Sequence, residues 1–147
     1  MRFVVFLVLN FGALALGALL MGEGPLGVWY QSLDKAPWTP PGWVFGFTWT
    51  TIMICYAIYI HQLFKNAENK KQVMILYCVQ WLLNVLWNPV FFAWHQLLLG
   101  CFVIISLILI LLYKHNMFSS KSWISTLLIL PYVLWLCVAL SLNLYVV

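Results

Sequence analysis

The stretch Trp29–Trp49 reads WYQSLDKAPWTPPGWVFGFTW, and it is the one long segment of the chain that does not read as a membrane helix. It holds four tryptophans, three prolines and the acid–base pair Asp34 and Lys35. Pro37, Pro40 and Pro41 fix φ and lack an amide donor, so no continuous helix runs through them. Val28 to Leu33 leaves room for a short helical turn. Trp29, Tyr30, Trp38 and Trp43 are amphipathic rings of the kind that collect at the water–lipid boundary. A boundary belt would explain the rings but not the prolines, whose density points to a loop held in one shape. We therefore read residues 23–42 as a structured lid.

Outward from the lid, almost everything is apolar. Of 147 residues, 65% are hydrophobic and 7% charged, against about 45–50% and about 25% in soluble domains. A soluble fold of this length cannot hide that much apolar surface, so the class is integral membrane protein and the first partner is the lipid bilayer. The net charge is +4, but the cations form no stripe among polar residues, which argues against nucleic acid. Length sets a single domain. Cys55, Cys78, Cys101 and Cys137 are scattered through apolar segments with no CxxC, so they read as small buried hydrophobes rather than a disulfide framework or metal site.

Five spans follow, making an all-α, five-helix bundle: residues 3–21, 43–63, 73–94, 97–114 and 122–146. In the first, Ala13 and Gly17, then Ala18 and Gly22, stand four apart, which lets another helix approach closely. Arg2 before an apolar run resembles a cleaved signal, but the run is longer than such regions usually are, so a retained helix is expected. Asn10 should face the bundle. In the second, Phe45, Trp49, Ile52, Tyr56 and Tyr59 share one face, and buried tyrosine hydroxyls there need partners. In the third, Gln80, Asn84 and Asn88 recur every four residues, with Trp87 and Phe91 beside them, and fall within roughly one quadrant of the helical wheel. Such a stripe must face protein, water or ligand, since an unpaired carboxamide in hydrocarbon is costly. Interhelical hydrogen bonding and a cavity wall both satisfy that requirement. Pro89 should kink this helix.

His95 and Gln96 make a tight turn, and His95, on the lid side, is the best-placed histidine for a ligand. The fourth span is polar only at Ser106 and reads as lipid- or dimer-facing. A polar loop is expected at residues 115–121. The fifth span is expected to break at Pro131; Tyr132, Trp135, Ala139 and Asn143 lie along one side, with Leu136 and Leu140 free to face lipid. Arg2, Lys65, Lys70, Lys71, Lys114 and Lys121 fall on one membrane side and only Lys35 on the other. The amino terminus should thus be cytoplasmic, with the lid and carboxyl terminus opposite.

No catalytic triad, carboxylate pair, phosphate loop or metal spacing occurs. The three acids lie in loops, which gives no support to a carboxylate proton relay. His61 and His115 read as solvated rather than as haem ligands. What remains is an aromatic, amide-dotted interior under a proline-rich lid, chemistry suited to a large, flat, mostly apolar ligand such as a tetrapyrrole or a sterol.

Over essentially its whole length the chain resembles the tryptophan-rich sensory protein family, also called the translocator protein or peripheral benzodiazepine receptor family. The resemblance rests on Trp29-Tyr30, Lys35…Trp38-Thr39-Pro40-Pro41-Gly42 and Trp49. It continues through Gln80, Asn84, Trp87, Asn88 and Phe91-Phe92, and ends with Pro131-Tyr132, Trp135, Ala139 and Leu142-Asn143. It implies a five-helix homodimer with a pocket beneath the first loop. It also implies a receptor or carrier that binds protoporphyrin IX or a related tetrapyrrole, needs no cofactor, and serves transport or stress signalling in a bacterial cell membrane. Some members are reported to degrade protoporphyrin in light; the tryptophans implicated match Trp49 and Trp135, which would then be catalytic. Tyr30, Asn88, Phe91 and Ala139 match pocket-lining positions. With Trp38, Asn84, Trp87, His95 and Tyr132 from the residue reading, these form the expected binding set. A structural bundle without ligand is the third reading. Three positions depart from the family: Lys35-Ala36-Pro37-Trp38 replaces Lys-Pro-x-Trp, Val138 replaces phenylalanine, and Tyr145 lacks the following basic residue that a sterol-recognition pattern needs.

Overall fold

A computed structural model describes residues 2–119 and 122–147. It contains α1 (Arg2–Leu20), a 3₁₀ turn (Gly24–Leu26), α2 (Val28–Ser32), α3 (Gly42–Asn66), α4 (Lys70–Asn88), a π-helical turn (Pro89–Ala93), α5 (Leu97–Phe118) and α6 (Trp123–Tyr145), with no strand among the described residues. Five segments are long and apolar enough to cross a membrane. Each of the long helices packs on two others, in the order α1, α3, α6, α5, α4 and back to α1, which closes a ring. The chain neighbours α3 and α4 touch only slightly.

Several helix ends differ from the sequence reading. α4 starts at Lys70 because the Asn69 side chain accepts from the Gln72 amide at 3.1 Å and caps it. α5 runs through His115 to Phe118, so the expected loop is mostly helix. α6 continues through Pro131, as membrane helices tolerate when neighbours cover the freed carbonyl. Gly22, at φ +65°, takes the left-handed conformation that ends α1. Pro89, by contrast, does disturb its helix: the following turn widens, and the Trp94 amide reaches back to the Pro89 carbonyl at 2.8 Å.

A ring of five helices needs a filled centre, and tyrosines supply it. Tyr56, Tyr59 and Tyr132 are each about fully buried, at 1% exposure. Gln80 joins three helices across the axis: its Oε1 accepts from the Tyr56 hydroxyl at 2.8 Å, and its Nε2 donates to the Tyr132 hydroxyl at 2.9 Å. For Gln80 the interhelical role is therefore the observed one. Asn10 does the same between α1, α3 and α4, donating to the Met53 carbonyl at 3.2 Å and accepting from Tyr77 at 2.8 Å. The Ala13–Gly17 stripe also works inside the bundle. A Cβ on Gly17 would lie 2.5 Å from Asn88 Nδ2, so α4 closes on α1 only because that atom is missing.

Several burials differ from the sequence reading. Lys114, counted with the cytoplasmic cations, has 0% exposure; it donates to the Tyr56 hydroxyl and sits 5.0 Å from the centre of that ring. The length of its side chain carries the charge inward because α5 continues past it. Leu136 is core rather than lipid-facing, and α5 buries Gly100, Cys101, Val103, Ile104, Leu107 and Leu111, so only its outer face is bare. Cys78 and Cys137 are on the outer surface; only Cys101 of the four is buried, and all four are free. Lys121 lies outside the described residues.

Replacing Gln80 by Leu removes the partner of the Tyr132 hydroxyl and the acceptor of the Tyr56 hydroxyl, which keeps only the Lys114 donor; a buried polar group left unpaired costs about 1–3 kcal/mol. Gln80→Leu should therefore lower the thermal midpoint in detergent more than Tyr132→Phe, which removes only one bond. Gly17→Val should destabilise by about 1–3 kcal/mol through overpacking against Asn88, whereas Leu19→Val, at an 81% exposed position, should have no measurable effect on that midpoint.

Candidate functional site

The lid is one ordered connector attached at two places. Its first half is α2, a single turn set by Gly27 and closed by the Gln31 amide on the Gly27 carbonyl at 3.0 Å. α2 lies on the widened end of α4. The Trp29 ring stacks on His95 at 4.0 Å and meets Phe91 edge-on at 5.7 Å, while Tyr30 meets Phe92 at 5.2 Å. His95 can receive that stack because it holds φ +55° in the three-residue link to α5, a conformation uncommon outside glycine. Lys35 lies 4.8 Å from the Tyr30 ring centre and donates to Gln31 Oε1 at 3.2 Å, and burial raises the Tyr30 phenol above its ordinary pKa.

The second half, Leu33–Pro41, is extended at both ends. Between them Thr39 folds back on the Ala36 carbonyl through its amide (2.9 Å) and hydroxyl (2.7 Å). Trp38 then fastens this half to α6: its indole donates to Ser141 Oγ at 3.3 Å, and its ring meets Tyr145 edge-on at 5.3 Å.

Two groups of rings lie below. The first gathers Trp87, Phe91 and Phe92 from α4 and the π turn under Trp29 and Tyr30; Trp87 stacks on Phe91 at 5.4 Å. Beside it opens a cleft of about 290 Å³, lined by Trp29, Tyr30, Phe92 and His95 together with the end of α1 and the 3₁₀ turn, including Glu23. The second group lies between α3 and α6: Phe45 meets Trp135 at 5.2 Å and Trp49 meets Tyr132 at 5.9 Å, both edge-on.

The expected binding residues thus divide. Tyr30, Trp87, Phe91 and His95 come together at the lid and the π turn. Trp49, Tyr132 and Trp135 come together on the α3–α6 flank, with Ala139 half-buried there. Trp38 bridges lid and α6. Asn84 is buried, and Asn88 is directed at α1 beside Gly17. Sequence reading missed Glu23, Trp29 and Phe92 as cleft residues, although Trp29 and Phe92 stand next to residues it did select. His61 and His115 form no metal cluster among the described residues. The His115 ring instead lies 3.5 Å from the Tyr59 hydroxyl and 3.3 Å from that of Thr126.

This fold and site define a class: an integral membrane bundle of five helices whose first connector is an aromatic lid. The chain matches the TspO/MBR family over residues 3–147 and belongs to that family. It is 39% identical over 120 residues to protein CrtK of Rhodobacter capsulatus, covering 80% of this chain and 75% of that one. It is 30% identical to a tryptophan-rich sensory protein of Cereibacter sphaeroides (86% and 77% covered) and 28% identical to a translocator protein of Sus scrofa (88% and 80% covered).

An aromatic contact contributes about 0.5–1.5 kcal/mol. Trp29→Ala should therefore speed amide hydrogen exchange across residues 27–32 by roughly fivefold to tenfold, as read by mass spectrometry in detergent. The centre of α3 should stay protected. Unchanged exchange in α2 would mean that the Trp38 attachment alone holds the lid.

Proposed function

We propose that this protein is a membrane receptor or carrier for a flat, mostly apolar ligand of the tetrapyrrole class, such as protoporphyrin IX, taken up beneath the lid. The observation that carries this reading is the ring-walled cleft between α2 and the π turn. Its volume of about 290 Å³ lies at the lower end of the roughly 300–1,000 Å³ usual for small-molecule sites. A tetrapyrrole is larger than the cleft, so binding requires the lid to lift. The lid suits that motion, since Trp29 and Trp38 attach its two halves separately. Indole and phenol faces stack on a macrocycle, and Glu23 and His95 give the rim a polar edge. The names of the relatives, sensory and translocator, support a role in sensing or transfer.

In the same reading, Arg2, Lys65, Lys70 and Lys71 mark the cytoplasmic end, with the lid opposite. The homodimer belongs to the outer face of α5, where Phe102 and Leu109 are exposed by 63% and 61%, because Ala13 and Gly17 of α1 are buried within the bundle.

Protoporphyrin IX should quench tryptophan fluorescence saturably. Trp29→Ala and Phe92→Ala should weaken its affinity by about tenfold, the loss expected of a ring contact at a binding site. Trp43→Phe, at a 73% exposed ring, should leave it unchanged. Loss of affinity only in the double variant Trp49→Phe/Trp135→Phe would move the ligand to the α3–α6 flank. Unsaturable quenching, equal in all variants, would defeat the proposal.

A further inference from the structure

We infer that a two-donor site for a hydrogen-bond acceptor lies behind Phe91, at Gly100, formed by the indole N–H of Trp87 and the side-chain amide of Asn143. Both nitrogens are buried and neither has a partner. Asn143 is only 3% exposed. Buried donors without acceptors are rare and call for an explanation. The two come from different helices, α4 and α6, yet flank the same missing side chain. A Cβ on Gly100 would lie 3.0 Å from Asn143 Nδ2, 3.8 Å from Trp87 Nε1 and 3.5 Å from Phe91 Cδ2. Both donors thus lie close to the α5 backbone at Gly100, where α5 carries no side chain, and Phe91 covers them.

The donor pair adjoins the site beneath the lid. Phe91 stacks on Trp87 on one side and meets Trp29 and Tyr30 on the other, so this ring separates the donors from the lid. A ligand edge that displaces Phe91 would meet two N–H groups in otherwise apolar surroundings. Such a pair fits an oxygen acceptor, a carbonyl or carboxylate, carried at the edge of an apolar body. The inference rests on the proposal that a flat ligand enters beneath the lid, and it adds which part of that ligand is recognised.

Two macrocycles test it: protoporphyrin IX, which carries carboxylates, and etioporphyrin, which carries only alkyl groups. Asn143→Leu removes one donor, and Gly100→Ala keeps both donors but sets a methyl group against them. Each should lower protoporphyrin affinity by about tenfold, the size of one hydrogen bond to a charged acceptor, and leave etioporphyrin within about twofold. Retained etioporphyrin binding also shows that the variants fold. The indole ¹⁵N–¹H resonance of Trp87, assigned by its loss in Trp87→Phe, should shift downfield with protoporphyrin and not with etioporphyrin. Equal losses for both probes, no loss for either, or an unmoved indole resonance would overturn the inference and leave a water as the occupant. If neither probe binds the unaltered protein saturably, the ligand proposal itself falls, and this one with it.

Discussion

A carboxamide in hydrocarbon must find partners, and in this protein that requirement is met at the centre of the bundle. Gln80 holds Tyr56 of α3 and Tyr132 of α6 at once. α3 and α4 follow one another in the chain but scarcely touch, so this bridge across the axis supplies what direct packing between them does not. Around it the tyrosines fill the space that five helices in a ring would leave open. At this level the axis of the bundle is filled by side chains, and the cleft of about 290 Å³ lies at the end where α4 widens.

The widening follows from one residue. Pro89 lacks an amide, and the turn after it spreads to a π geometry. That turn places Phe91 and Phe92 under the lid, brings His95 into a left-handed link and lets Trp29 stack there. Extra residues in a helical turn change the facing of everything beyond them, which is why such turns recur at functional sites. The same locality explains why the rings form two groups. α4 and the π turn supply one, α3 and α6 supply the other, and Trp38 ties the lid to α6 at Ser141 and Tyr145.

Much of this was legible in the sequence. Five apolar runs of sufficient length set the spans, and three prolines marked the lid. Asn10 and Gln80 could be assigned to the interior because nothing outside would pair with them. Their partners could not be read, since Met53, Tyr77, Tyr56 and Tyr132 come from other helices and no local pattern encodes which helices meet. Lys114 shows the same limit: nothing local indicates that this cation lies buried against Tyr56 rather than exposed. The regular stripe of Gln80, Asn84 and Asn88 gave no sign that it serves different neighbours along its length. A helix in a closed ring turns past several elements, so one face meets the axis at one level and α1 at another.

The lid is stapled at Trp29 to the end of α4 and at Trp38 to the end of α6, and the peptide between the staples runs from the helical turn α2 through extended Leu33 into the turn that Thr39 closes on Ala36. A connector tied in this way behaves as a strain gauge. Separating the two helix ends would have to open one of these turns or release a staple. A displacement of either helix end would thus pass into the backbone that the lid exposes above the bundle.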